Sequence, residues 1–139
     1  MQKIYTTGYG GKNVADLKPM LDALDAVLVD IRFVPHSDIL HWRKTYLKVL
    51  LDWKYLHVPN LGNRTFKEEK ITIQNLQLGI ETVLNLNKNA VLMCGCEKFE
   101  DCHRLLIAGE LLKQGIETEE IFNWKKYAGD NGKMFGIFN

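Results

Sequence analysis

Several features are missing from this chain, and each absence excludes a class of protein. No uninterrupted apolar run approaches the roughly 20 residues that a membrane-spanning helix needs, so no membrane partner is expected. The first residues, Met1-Gln2-Lys3-Ile4-Tyr5, have neither the apolar stretch nor the small-residue cleavage site of a signal peptide. Cysteine is scarce. Three in 139 residues, an odd number with two of them one residue apart, argue against a secreted disulfide scaffold. A cytoplasmic protein is the expectation. Excess charge is missing too, since 18 Lys+Arg against 17 Asp+Glu leave a formal net charge of +1 at pH 7. That balance excludes a strongly basic nucleic-acid coat and a long acidic tail. With no repeat, low-complexity segment or linker, one domain over residues 1–139 is expected, its core spanning about 3–124.

What is present alternates apolar runs with amphipathic stretches. The pattern predicts strands at about Lys3–Thr7, Ala26–Ile31, Lys54–Val58, Ala90–Cys94 and Ile116–Trp124. It predicts helices at about Val14–Leu24, His41–Asp52, Ile73–Leu86 and Cys102–Gln114, with Asn13 as an N-cap and Gly115 closing the last one. Residues 125–139 read as a tail or a short end element. The large apolar residues Phe135, Ile137 and Phe138 are left either to cover the sheet or to meet a second subunit. Strands alternating with helices of 10–14 residues predict an α/β class, namely a three-layer domain. Its mainly parallel sheet of about five strands would have helices on both faces.

In such a sheet the loops at the carboxyl ends of the strands share one edge, where ligands bind near the topological switch point. Four of those loops are unusual here: Gly8–Asn13, Asp30–Asp38, Pro59–Arg64 and Cys94–Arg104. Lys outnumbers Arg fourteen to four, yet Arg32, Arg64 and Arg104 all fall in these loops. A planar five-donor guanidinium suits carboxylate or phosphate oxygens, so the pattern points to an anion site. Arg–carboxylate pairs tying the loops together are the plainer alternative.

The segment Cys94-x-Cys96…Cys102-His103-Arg104 is the most specific. Asp101 can cap the following helix, placing Cys102, His103 and Arg104 in its first turn, where basic side chains call for an anion. A thiol beside His and Arg in that position makes Cys102 a candidate nucleophile, while Cys94 is expected as a small core hydrophobe. Cys96 lies nearer the rim. The Cys-x-Cys spacing departs from the usual paired zinc ligands, so no metal and no cofactor is expected. A phosphatase or rhodanese loop has about five residues between Cys and Arg, whereas seven separate Cys96 from Arg104. Gly8-Tyr9-Gly10-Gly11-Lys12 precedes a helix as phosphate-binding turns do, or else forms only a tight strand-to-helix turn. Asp30 and Arg32 face one side of a strand and pair with each other or with a ligand. His36 in the Pro35-His36-Ser37 loop is a candidate general acid or base. His57 is a second such candidate or a satisfied core residue.

Four of these motifs also occur together and in order: Thr6-Thr7-Gly8-Tyr9-Gly10-Gly11-Lys12, Asp30-Ile31-Arg32 with Pro35-His36-Ser37, Tyr55-Leu56-His57-Val58-Pro59-Asn60-Leu61-Gly62, and Leu92-Met93-Cys94 running to Cys102-His103-Arg104. The set resembles domain-of-unknown-function family 488 over about Ile4–Trp124. The resemblance implies an α/β sandwich with a pocket formed by these motifs, and it supplies no reaction. Many members have Glu two residues after the strand-end Cys, where this chain has Cys96.

Two functions are therefore expected to compete. One is a small enzyme on a phosphorylated or nucleotide-like compound. It would hold its small anionic partner with Gly8, Tyr9, Lys12, Asp30, Arg32, Ser37, Arg64, Cys96, His103 and Arg104, and use Cys102 or His36 in the chemistry. The other is a non-catalytic ligand- or nucleic-acid-binding module using the same rim, with nucleic acid disfavoured by the balanced charge.

Overall fold

Five short strands pair side by side and all in parallel: β1 (Ile4–Gly8), β2 (Ala26–Asp30), β3 (Tyr55–His57), β4 (Asn89–Cys94) and β5 (Thr118–Glu120). Their spatial order is β3-β2-β4-β1-β5. This is a computed structural model, and it describes residues 1–65 and 68–127. Four helices connect the strands: α1 (Leu17–Leu24), α2 (Lys44–Leu51), α3 (Leu76–Asn85) and α4 (Arg104–Lys113).

Side chains alternate across each strand, so the sheet feeds two separate cores. Val27, Val29, Ala90, Leu92 and Cys94 pack with Ile80 and Val83 of α3 and Ile107 and Leu111 of α4. Leu28, Val91 and Met93 pack with Leu17, Met20 and Leu21 of α1 and Leu47 and Leu51 of α2. The result is a three-layer α/β/α domain. Burial from both sides explains why β2 and β4 read as unbroken apolar runs rather than alternating ones.

The connections define the functional edge. The chain leaves β1 and β2 toward the α1/α2 face but leaves β4 toward the α4 face. Because β4 lies between β1 and β2, with Gly8 beside Cys94, its carboxyl end is the switch point of the sheet.

Element starts differ from the sequence pattern for local reasons. Asn13 caps as expected, its Oδ1 accepting from the Ala15 N–H at 2.9 Å, but it opens a 3-10 turn at Val14–Asp16 before α1 begins. The second helix likewise follows a 3-10 turn at Leu40–Trp42. The third starts at Leu76 rather than Ile73, because Asn75 Oδ1 caps the Leu78 N–H while Ile73 bridges to Asn63. The fourth starts at Arg104. A 3-10 turn at Phe99–Asp101 closes with Cys102 N–H on the Phe99 carbonyl, leaving Cys102 extended. Asp101 therefore does not cap α4, and Cys102 precedes the helix. Gly115 takes the left-handed conformation (φ +82°) that ends α4. The last strand is only three residues long, and Trp124 beyond it is buried with its indole N–H on Thr7 Oγ1 at 2.9 Å. The expectation for Phe135, Ile137 and Phe138 lies outside the described residues.

Candidate functional site

Two polar networks occupy the carboxyl edge, one on each face of the sheet. On the α1/α2 face, fully buried Asp30 gathers four hydrogen bonds. Its Oδ1 accepts from the backbone N–H (3.2 Å) and Nε (2.9 Å) of Arg32. Its Oδ2 accepts from Arg32 Nη2 (2.7 Å) and from the Tyr55 hydroxyl (2.5 Å). Arg32 Nη1 reaches the Tyr9 hydroxyl at 3.3 Å, and the Tyr9 ring stacks on Trp42 with centroids 4.5 Å apart. Burial works to lower the Arg32 pKa, but the Asp30 carboxylate outweighs it and the net shift is upward. Burial and then Asp30 hold the Tyr55 phenol well above its ordinary value.

On the α4 face, Arg104 is fully buried at the first position of its helix. Its Nε and Nη2 form a fork onto Glu120 at 3.0 and 2.8 Å. Nη1 donates to Cys94 Sγ and to the Cys96 carbonyl, both at 3.1 Å. Here again burial opposes the charged form, while Glu120 and Cys94 raise the pKa overall. For Arg32 and Arg104 the structure shows the Arg–carboxylate pairing that the sequence left open: each guanidinium is turned into a carboxylate of its own.

The cysteines, by contrast, converge. The Sγ atoms of Cys94, Cys96 and Cys102 all lie within 4.8 Å of one another. Cys94 and Cys102 are buried and Cys96 is exposed. Burial pushes the Cys94 thiol up, whereas hydrogen bonds from Cys102 and Cys94, with the charge of Arg104, pull Cys96 down. His103 Nε2 lies 2.9 Å from the Ile31 carbonyl. A carbonyl only accepts, so Nε2 carries the proton and Nδ1 faces Cys102 Sγ at 3.6 Å. The loop after β4 folds directly over the end of β1. A Cβ on Gly8 would sit 1.6 Å from the Cys96 carbonyl oxygen, so this position admits glycine alone.

The other predicted residues are placed more loosely. Lys12 is half-buried in the turn after β1, where its N–H closes onto the Tyr9 carbonyl. His36 is exposed on a turn, and Ser37 Oγ accepts from the Ile39 N–H. Arg64 is exposed and takes no part in either network. His57 donates its Nε2 proton to the Arg32 carbonyl at 2.7 Å.

Residue types alone do not reveal Glu120. The one available signal for Glu120 is a carboxylate in a short strand just after the helix that Arg104 opens. No family model, curated protein or solved structure matches the chain.

Proposed function

We propose that the protein is a small enzyme working at the carboxyl edge of its sheet, where Cys96 meets an anionic, phosphorylated or nucleotide-like compound. One observation carries this reading: at the switch point a single exposed sulfur stands beside two buried ones, with the Arg104 guanidinium behind them. With Arg32 and Arg104 paired internally, Lys12 and Arg64 on the same edge meet the anion; neither has a carboxylate partner among the described residues. The resemblance to family 488 belongs to this proposal and rests on its four motifs.

The test is a thermal-shift screen against nucleotides, sugar phosphates and dinucleotides, because a ligand bound by the folded state alone raises apparent stability. Stabilising compounds are then incubated with the protein and followed by phosphorus NMR. Conversion by the wild type and none by Cys96→Ser is the expected result. A stabilising compound unaffected by both Cys96→Ser and Lys12→Ala overturns the reading.

A second reading, a non-catalytic binding module, is favoured by the internal pairing of Arg32 and Arg104, which makes both of them struts of the scaffold. It predicts stabilisation without conversion.

A further inference from the structure

We infer that Cys94, Cys96 and Cys102 form a binding site for one thiophilic divalent cation of the zinc class, with one coordination position left open. Three sulfurs from the end of β4, the loop beyond it and the residue before α4 come within 4.8 Å of one another. Tetrahedral zinc, with Zn–S near 2.3 Å, sets sulfur–sulfur distances of about 3.8 Å. The trio therefore needs to close by no more than about 1 Å to hold the ion. A disulfide, with sulfurs about 2.05 Å apart, would use only two of the three and demand a larger approach.

The surroundings fit a ligand set. Arg104 Nη1 donates to Cys94 at 3.1 Å, and His103 Nδ1 stands 3.6 Å from Cys102 as the acceptor for its thiol proton. His103 is in turn oriented by the Ile31 carbonyl, and such outer hydrogen bonds characteristically fix ligating groups. Three thiolates and a dication leave one negative charge, toward which Arg104 Nη1 donates while the guanidinium's own charge is matched by Glu120. Exposed Cys96 gives the ion a way in. All-sulfur ligation selects soft cations over magnesium or calcium. Three protein ligands with an open fourth position is also the composition of catalytic, rather than structural, zinc sites. Metal binding here goes beyond the anionic-ligand reading and is measured without any substrate.

The experiment uses the full chain without a histidine tag, reduced, freed of metal with EDTA, and titrated with Co²⁺. The expected result is a thiolate-to-cobalt charge-transfer band with tetrahedral visible bands, saturating at one equivalent and displaced by Zn²⁺. Affinity should fall roughly tenfold or more in Cys96→Ser and in Cys102→Ser. Cys96 is exposed, so its variant retains the fold even where the buried Cys102 variant does not. Absence of the band in wild-type protein whose three thiols are titrated as reduced overturns the inference, as does an undiminished band in Cys96→Ser. Either failure leaves the phosphate-compound screen standing.

Discussion

Replacing Asp30 by alanine removes the carboxylate on which four hydrogen bonds converge and leaves the Arg32 guanidinium buried without its counter-charge. Asp30 is 0% exposed and Arg32 7%, so water offers little compensation. Breaking a buried pair by deleting one partner costs about 3–5 kcal/mol. With a urea dependence near 2 kcal/mol per molar, the unfolding midpoint should fall by about 2 M. Arg32→Ala should also destabilise, because it leaves Asp30 buried without its counter-charge, with only the backbone N–H of residue 32 and the Tyr55 hydroxyl as donors. Since each single variant leaves an orphaned charge, the double variant should cost less than the sum by roughly 2 kcal/mol. Urea unfolding of the four proteins, followed by Trp fluorescence and circular dichroism, closes the cycle. An Asp30→Ala cost below about 1 kcal/mol, or additive single costs, would refute the claim that this pair is a buried strut.

Other outcomes follow from the same structure. Glu120→Ala should destabilise by about 3–5 kcal/mol, because Arg104 is fully buried against it; a loss of a few tenths in urea unfolding would contradict that. Gly8→Ala should cost about 3 kcal/mol or more, since its Cβ would overlap the Cys96 carbonyl and the loop after β4 must move; an unchanged melting temperature rejects the close approach. In metal-free native protein a thiol reagent should label Cys96 quickly and Cys94 and Cys102 only on unfolding, which peptide mapping reads directly. The folded Tyr55 phenol titrates above its unfolded value. Its contribution to stability is therefore complete below about pH 10 and lost as pH rises beyond it, and Tyr55→Phe should flatten that alkaline decline; an unaltered slope argues against the Asp30 contact.

The fold is legible in the sequence because burial on both faces leaves a plain mark. Ala26–Asp30 and Ala90–Cys94 have almost no polar interruption, and a run of that length between helical patterns admits little but a central parallel strand. Helix starts are less legible. The 3-10 turns at Val14–Asp16, Leu40–Trp42 and Phe99–Asp101 use helix-compatible residues, and which turn continues into a helix depends on tertiary contacts. Arg32 and Arg104 stand at the carboxyl edge, where the segments that carry them leave their strands. Their partners are not evident: Asp30 competes on paper with a ligand, and Glu120 meets Arg104 only because β5 lies next to β1. The convergence of the cysteines is hidden for a similar reason. Placing Cys102 in a helical first turn, and weighing only the Cys-x-Cys spacing, leaves out the fold-back over Gly8 that brings the sulfurs together.

In the proposed function the ends of β1 and β4 form the working edge of this molecule. Backbone amide NMR of the labelled protein, titrated with the strongest stabiliser from the nucleotide and sugar-phosphate panel, addresses it most directly. Shifts concentrated in Gly8–Lys12 and Cys94–Arg104 are predicted. Shifts concentrated instead around Trp53 and Lys88, at the amino end of the sheet, would contradict it.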